Sequence, residues 1–299
     1  MKDFFNRLFR NQPEPISEPD TRPLTADDIK IQLPYQHSAK LEPQQLIVGC
    51  AASIGKQRDH NEDSLFTATT TLSSSNGNLP FGFYILADGM GGHLHGELAS
   101  EMAIRAMASY VMDHVYIPLI GIKGLSPNDS IQEIMASAVQ DAQSSIIQGV
   151  PGGGTTLTAS LILGEQLTIA HVGDSRAYAI SKAGEMTAVT KDHSLVKRLV
   201  DLGQITKEEA AVHPQRNVLY RALGQGEPVE PDIISMQVTD SSYLMLCSDG
   251  LWGVVPDDVM STTILTAPNP EAACQKMVSQ ANDAGGPDNI TVILIRLPD

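Results

Sequence analysis

From Phe81 the chain alternates. Phe81, Phe83, Ile85 and Ala87 fall on one side of an extended segment, and Tyr84 and Leu86 fall on the other. A strand apolar on both sides predicts burial between two layers. Further strand-like runs, rich in β-branched residues, occur at 46–54, 64–72, 155–163, 166–174, 175–181, 233–238, 243–249 and 289–297. The period changes to a helical one from Leu94 to about Tyr116, where Leu98, Met102, Ile104, Ala106 and Val111 share a stripe that Pro118 should end. A second helix, about 129–148, opens with Ser130 and Glu133 in capping-box spacing and should bury Ile131, Ile134, Met135, Ala138 and Val139. Pro256 and Pro270 are expected at the first position of two later helices. Between the strands, 192–225 is polar and helix-rich with few positions to bury, which predicts a flap over the edge of the sheets. Strands in meander and helices in pairs predict an α+β fold. Two antiparallel sheets pack together and helix pairs flank them outside, a four-layer α-β-β-α sandwich.

Composition narrows the organisation. The 299 residues suit one domain plus a tail, and 42% apolar with 18% charged residues allows a sizeable core. Six of the 18 prolines (Pro13, Pro15, Pro19, Pro23, Pro34 and Pro43) lie in 1–44, so that stretch reads as a flexible N-terminal tail and 45–299 as the folded domain. At the start of the tail, Phe4, Phe5, Leu8 and Phe9 could line a short amphipathic helix, but so short a helix is marginal in water and a frayed terminus is the preferred reading. A net charge of −15, from 20 basic and 35 acidic residues, argues against nucleic acid and anionic lipid as partners. Cys50, Cys247 and Cys274 have no metal or redox spacing and read as buried free thiols in a reducing compartment. No apolar run approaches the roughly 18 residues of a membrane span and no secretory signal is visible, so a cytoplasmic, monomeric protein is expected.

The polar signal lies at strand ends. Asn61-Glu62-Asp63 opens one strand, Asp88-Gly89 and Ser248-Asp249-Gly250 close two others, and Pro287-Asp288-Asn289 precedes the last. Each alone is an ordinary turn. Together they place carboxylates at the rim of a sandwich, where they repel one another unless cations lie between them. Oxygen donors suit hard divalent ions, and a pair of such ions activates water toward an electrophile such as phosphorus. Arg58, three residues before Asn61, has the planar fork that grips phosphate oxygens.

The ordered set Arg58-x-x-Asn-Glu-Asp63, Asp88-Gly-Met-Gly-Gly-His93, Gly154-Thr-Thr156, Val172-Gly-Asp-Ser-Arg176, Ser248-Asp-Gly-Leu-Trp252 and Asp288-Asn-Ile-Thr-Val292 resembles that of the metal-dependent protein phosphatases of type 2C. The likeness covers about 46–297, and the flap resembles that of bacterial members. It implies a serine/threonine phosphoprotein phosphatase acting through a hydroxide activated on a binuclear Mn or Mg centre. Its partners would be signalling proteins phosphorylated by a serine/threonine kinase. By the same resemblance Asp88 bridges two ions, the Gly89 carbonyl completes one site, and Asp249 and Asp288 hold the other. Glu62 and Asp63 act directly or through water, Asp63 also orienting the nucleophile, and Arg58 binds the phosphoryl group. Met90 replaces a histidine that is thought to protonate the leaving group in animal relatives, while His93 and His95 stand nearby. Bacterial members often carry an acid shortly before Gly-Thr-Thr for a third metal. Here 143–154 has none, which argues against a third site. Asp174 and Arg176 are expected to form a buried ion pair or cap a turn rather than bind metal, and Asp192-His193 to serve a turn or substrate edge rather than a catalytic dyad. The alternative is a silent phosphatase-like module that binds without turnover.

Overall fold

The structure is a computed structural model that describes residues 45–74, 77–91, 94–121, 129–225, 228–238 and 241–298. Residues 1–44 and His93 lie outside the described residues, and with them the expectations for the tail. The strands are β1 (Ile47–Ser53), β2 (Asp63–Ser74), β3 (Gly77–Met90), β4 (Gly154–Thr155), β5 (Leu157–Leu163), β6 (Gln166–Val172), β7 (Arg176–Ser181), β8 (Met186–Ala188), β9 (Asp232–Gln237), β10 (Ser241–Cys247) and β11 (Ile290–Arg296). They form two antiparallel sheets, β1-β11-β10-β7-β8 and β2-β3-β5-β6-β9, with β4 paired to the end of β3.

Three apolar layers separate four structural ones. The Phe81, Phe83, Ile85 and Ala87 side of β3 packs against helices α1 (Leu94–Val111) and α3 (Ile131–Gly149), through Ala103, Met107, Met135 and Ala142. The opposite side, Tyr84 and Leu86, meets Leu244, Leu246, Ile293 and Ile295 of the other sheet. The far face of that sheet, with Met245, Val292 and Leu294, is covered by Met260 and Ile264 of α7 (Asp257–Thr266) and Met277 and Ala281 of α8 (Pro270–Asp283). Period-two alternation thus assigns the apolar side chains from Phe81 to Ala87 to one core or the other, as their sequence requires.

Departures from expectation are local. Pro118 does not end the first helix: α1 loosens into a π turn (Met112–Tyr116) and continues as α2 (Ile117–Ile120), with Pro118 in its first turn, where a missing N–H costs little. Pro256 is the N-cap of α7 rather than its first residue, and Ile131 is only half-buried. Cys50 is exposed on the edge strand β1, while Cys247 and Cys274 are buried.

The flap contains α4 (Leu195–Asp201) and α5 (Lys207–Ala211). Its two ends are fixed by backbone bonds. Leu195 N–H donates to Val218 O at 2.8 Å and Tyr220 N–H to His193 O at 2.9 Å, while Leu223 and Thr155 exchange both of theirs at 2.9 and 3.1 Å. Through Thr155 the flap is joined to β4 and so to the end of β3. Among the described residues no helix is long and apolar enough to cross a membrane.

Candidate metal centre

The strand-end motifs interlock through their backbones. Register places Asp63 directly opposite Asp88 across the β2–β3 ladder. Both polar backbone groups of Asp88 are held by the Gly-Thr-Thr segment. Asp88 N–H donates to Thr156 Oγ1 at 2.9 Å, and Asp88 O accepts from Thr156 N–H and from the Thr155 hydroxyl, each at 2.9 Å. Thr156 Oγ1 also lies 2.9 Å from Ser175 Oγ, which links this clamp to the turn carrying Asp174. Asp249 opens α6 (Asp249–Trp252), and behind it Gly250 is so close to the next strand that a Cβ would stand 1.9 Å from Asn289 O. Asn289 in turn accepts from Glu62 N–H at 2.8 Å and donates to Ile54 O at 2.9 Å and His60 O at 2.8 Å. One asparagine therefore fastens the 54–62 loop to the residue after Asp288.

Around this frame lies an open cleft of about 210 Å³, lined by Arg58, Glu62, Asp88, Gly89, Met90, Asp174, Asp249 and Asp288, with Asn217 and Leu219 reaching it from the flap. Arg58 Nη2 donates to Asp288 Oδ2 at 2.8 Å. The Glu62 carboxylate rests on Gly96, where a Cβ would come 2.2 Å from Glu62 Oε2. Asp63 is buried and is not part of the lining. Its Oδ2 accepts from Ser248 Oγ at 2.9 Å, and its Oδ1 has no hydrogen-bond partner.

So many buried acids perturb one another. Burial lifts the Asp63 carboxyl to about 7, with the Thr291 and Ser248 hydroxyls opposing and the charges of Asp249 and Asp288 adding to it. Burial, then Asp63 and Asp249, holds Asp88 well above the usual range. Asp174 rises to about 8 through burial and the charge of Asp249, and Asp249 to about 6 through burial and Asp288, with Arg58 opposing. A cluster of acids that resists ionisation on its own, with a buried carboxylate oxygen that no hydrogen bond claims, fits a site for divalent ions. The donors are all oxygen, which fits Mn2+ or Mg2+. Among the described residues no three His, Cys, Asp or Glu side chains are grouped closely enough to hold an ion by themselves.

Of the residues singled out in the sequence, Arg58, Glu62, Asp88, Gly89, Asp249 and Asp288 share the cleft, and Asp63 lies directly behind it. The expected ion pair between Asp174 and Arg176 does not form. Asp174 lines the cleft, and Arg176 instead grips Asp192 bidentately at 2.9 and 2.8 Å, donates to Tyr178 Oη at 3.0 Å and stacks 3.5 Å above the Trp252 ring. The signal was present: QLTIAHVGD ends an apolar strand on an aspartate just as the strands before Asp88 and Asp249 do. Asp192 and His193 have separate partners and neither lines the cleft, so they form no dyad.

Comparison with known proteins agrees with this geometry. The family model described as protein phosphatase 2C matches residues 49–290. The serine/threonine phosphatase stp of Listeria welshimeri is 37% identical over 243 residues, covering 81% of this chain and 92% of that protein. The crystal structure of the Mycobacterium tuberculosis serine/threonine phosphatase PstP/Ppp superposes with a TM-score of 0.71 at 34% identity, over 85% of this chain and 100% of that one. A structure of the PstP catalytic domain in complex with two manganese ions gives 0.70 at 32% identity, over 85% of this chain and 99% of the other.

Proposed function

This chain belongs to the protein phosphatase 2C family and is a metal-dependent serine/threonine phosphatase of the bacterial type, and from that premise we propose which residues carry its reaction. The enzyme uses Mn2+ or Mg2+ and acts on phosphoproteins. Asp88, the Gly89 carbonyl, Asp249 and Asp288 would hold two ions, with Glu62 and Asp63 acting directly or through water and Asp174 adding a further acid beside Asp249. The observation that carries this reading is the convergence of acids from β3, α6 and the loops before β2, β7 and β11 on one cleft beside a single arginine. When bound, the ions supply Lewis-acid polarisation of the phosphoryl group and an acidified water.

The remaining roles belong to the chain. Arg58, held in place by Asp288, presents its free donors to the phosphoryl oxygens and binds them as a fork. Asp63, fixed by Ser248 with Oδ1 unpaired, keeps an acceptor available behind Asp88 and orients the attacking water. Asn217 and Leu219 line the cleft from the flap side, where the peptide around the phosphorylated residue would lie. Met90 has no proton to give, so the departing serine or threonine alkoxide takes its proton from solvent or from a side chain that holds no ion. We assign the catalytic domain to 45–299 with 1–44 as a tail, and place the enzyme in the cytoplasm as a monomer opposing a serine/threonine kinase.

The test is Asp249→Asn. Hydrolysis of an aryl phosphate and of a phosphothreonine peptide in Mn2+ should fall by at least about 100-fold with the fold intact. Activity that survives both this change and a chelator would overturn the assignment.

A further inference from the structure

The flap begins on three successive residues that are each tied to a different element. Lys191 O accepts from His171 Nε2 at 3.1 Å, Asp192 clasps Arg176, and His193 reaches the turn before Asp174. That last contact is double. Gly173 O accepts from His193 N–H at 2.7 Å, and Gly173 N–H donates to His193 Nδ1 at 3.1 Å. Gly173 has φ +112°, and a Cβ there would stand 2.6 Å from Thr156 Cβ, so the turn follows a path that only glycine takes easily. Both of its polar backbone groups are satisfied by one residue of the flap root.

The other side of the ring fixes its tautomer. Because Nδ1 accepts, the proton resides on Nε2, 3.2 Å from Asp232 Oδ2. Asp232, the first residue of β9, also accepts from Arg221 Nη1 at 2.8 Å, and Arg221 stands at the far end of the flap. The imidazole is buried and packs against His171 at 4.9 Å and Tyr220 at 5.7 Å between ring centroids. Asp232 and His193 therefore join both flap roots to the turn that carries Asp174. The neighbouring charged or titratable groups are Asp232, Arg221, His171 and Asp192.

We propose that His193 is a positioning residue: through its Nδ1 it holds the Gly173–Asp174 turn in place, so that Asp174 faces Asp249 only while the flap root is seated. This rests on Asp174 belonging to the cation-holding set. His193 touches neither the cleft nor substrate, and acts through the backbone of its neighbour.

Two amide variants separate its two contacts. In His193→Asn the side-chain oxygen takes the place of Nδ1 and preserves the acceptor for Gly173, while the bond to Asp232 is lost. In His193→Gln the amide nitrogen takes the place of Nε2 and preserves the bond to Asp232, while Gly173 N–H is left without an acceptor. H193Q should lower kcat about 10- to 100-fold with KM for an aryl phosphate little changed, the size expected for an outer partner of a ligand. Calorimetric titration of the substrate-free protein with Mn2+ should show weakened binding in H193Q. H193N should rescue both to within about threefold of the parent. Equal loss in the two variants, or unchanged Mn2+ binding by H193Q, would overturn the proposal. If H193Q does not fold, nitrogen NMR of the parent protein at neutral pH decides. An Nε2-protonated ring with Nδ1 as acceptor is expected, and an Nδ1-protonated ring refutes it. Asp249→Asn is the control: its full activity would sink the metal-centre assignment, whereas a dead Asp249→Asn beside a normal H193Q sinks only the role of His193.

Discussion

At the scale of single residues, the cleft depends on groups that never meet substrate. Thr156→Val keeps the shape but removes the acceptor of the half-buried Asp88 N–H and the partner of the buried Ser175 hydroxyl. Leaving such groups unpaired costs about 1–3 kcal/mol, and we expect that loss in denaturant titration together with a fall in Mn2+-dependent kcat. Ser160→Ala makes the opposite case. That hydroxyl is buried in β5 with no hydrogen-bond partner, so its removal should leave stability within about 0.5 kcal/mol of the parent or raise it, with activity unchanged. Residue type and spacing revealed Arg58, Glu62, Asp88, Asp249 and Asp288 because carboxylates at several strand ends have one economical explanation. They could not reveal that Asp174 turns from Arg176, since that choice is made by Asp192 and Trp252, which approach Arg176 from distant parts of the chain. The clamp on Asp88 was equally hidden: Gly-Thr-Thr reads as a strand start until register sets it against β3.

At the scale of elements, local chemistry was legible where it is local. The capping box at Ser130 forms as spaced, with Glu133 N–H donating to Ser130 Oγ at 3.2 Å and Ser130 N–H to Glu133 Oε2 at 2.9 Å. Pro270 lies at the start of α8 behind the cap Asn269, whose Oδ1 accepts from Ala272 N–H at 2.8 Å. Because α8 covers β1 and β11, its cap should matter to the whole fold: Asn269→Ala should cost about 1 kcal/mol, read as a lowered midpoint in chemical unfolding without loss of kcat. What escaped was set by tertiary contact. The three-residue β8 exists because β7 offers it an edge, and the π turn before Pro118 has no sequence signature of its own. The flap was recognised as a segment of low apolar content, yet it is not merely peripheral. Leu223 and Thr155 make it continuous with the strand end that bears Gly89.

At the scale of the whole molecule, a sandwich that aligns its acids at one rim carries an electrostatic cost that cations offset, and this sets how stability varies with pH. In the metal-free protein the carboxyls of Asp63, Asp174 and Asp249 titrate near 7, 8 and 6, and Asp88 is likewise raised, whereas in the unfolded chain each titrates near 3.8. A carboxyl whose folded value is raised binds more protons folded than unfolded, so its stabilising contribution is complete below the unfolded value and disappears as pH rises through the folded one. The chelated protein should therefore become easier to unfold between about pH 4 and pH 8, as far as these groups govern it. Mn2+ held by the proposed cluster would replace the lost protons with charge, and by binding the folded state alone it should stabilise most at the alkaline end of that window. Melting temperatures in chelator and in Mn2+ would be compared at pH 5, 6, 7 and 8. The gap between the two curves should widen with pH, and in Asp249→Asn, which removes one of the competing charges, the chelated curve should be flatter and the gap smaller. A gap that is constant across the series would mean that these acids ionise freely without cations, and that repulsion between them does not create the site's demand for metal.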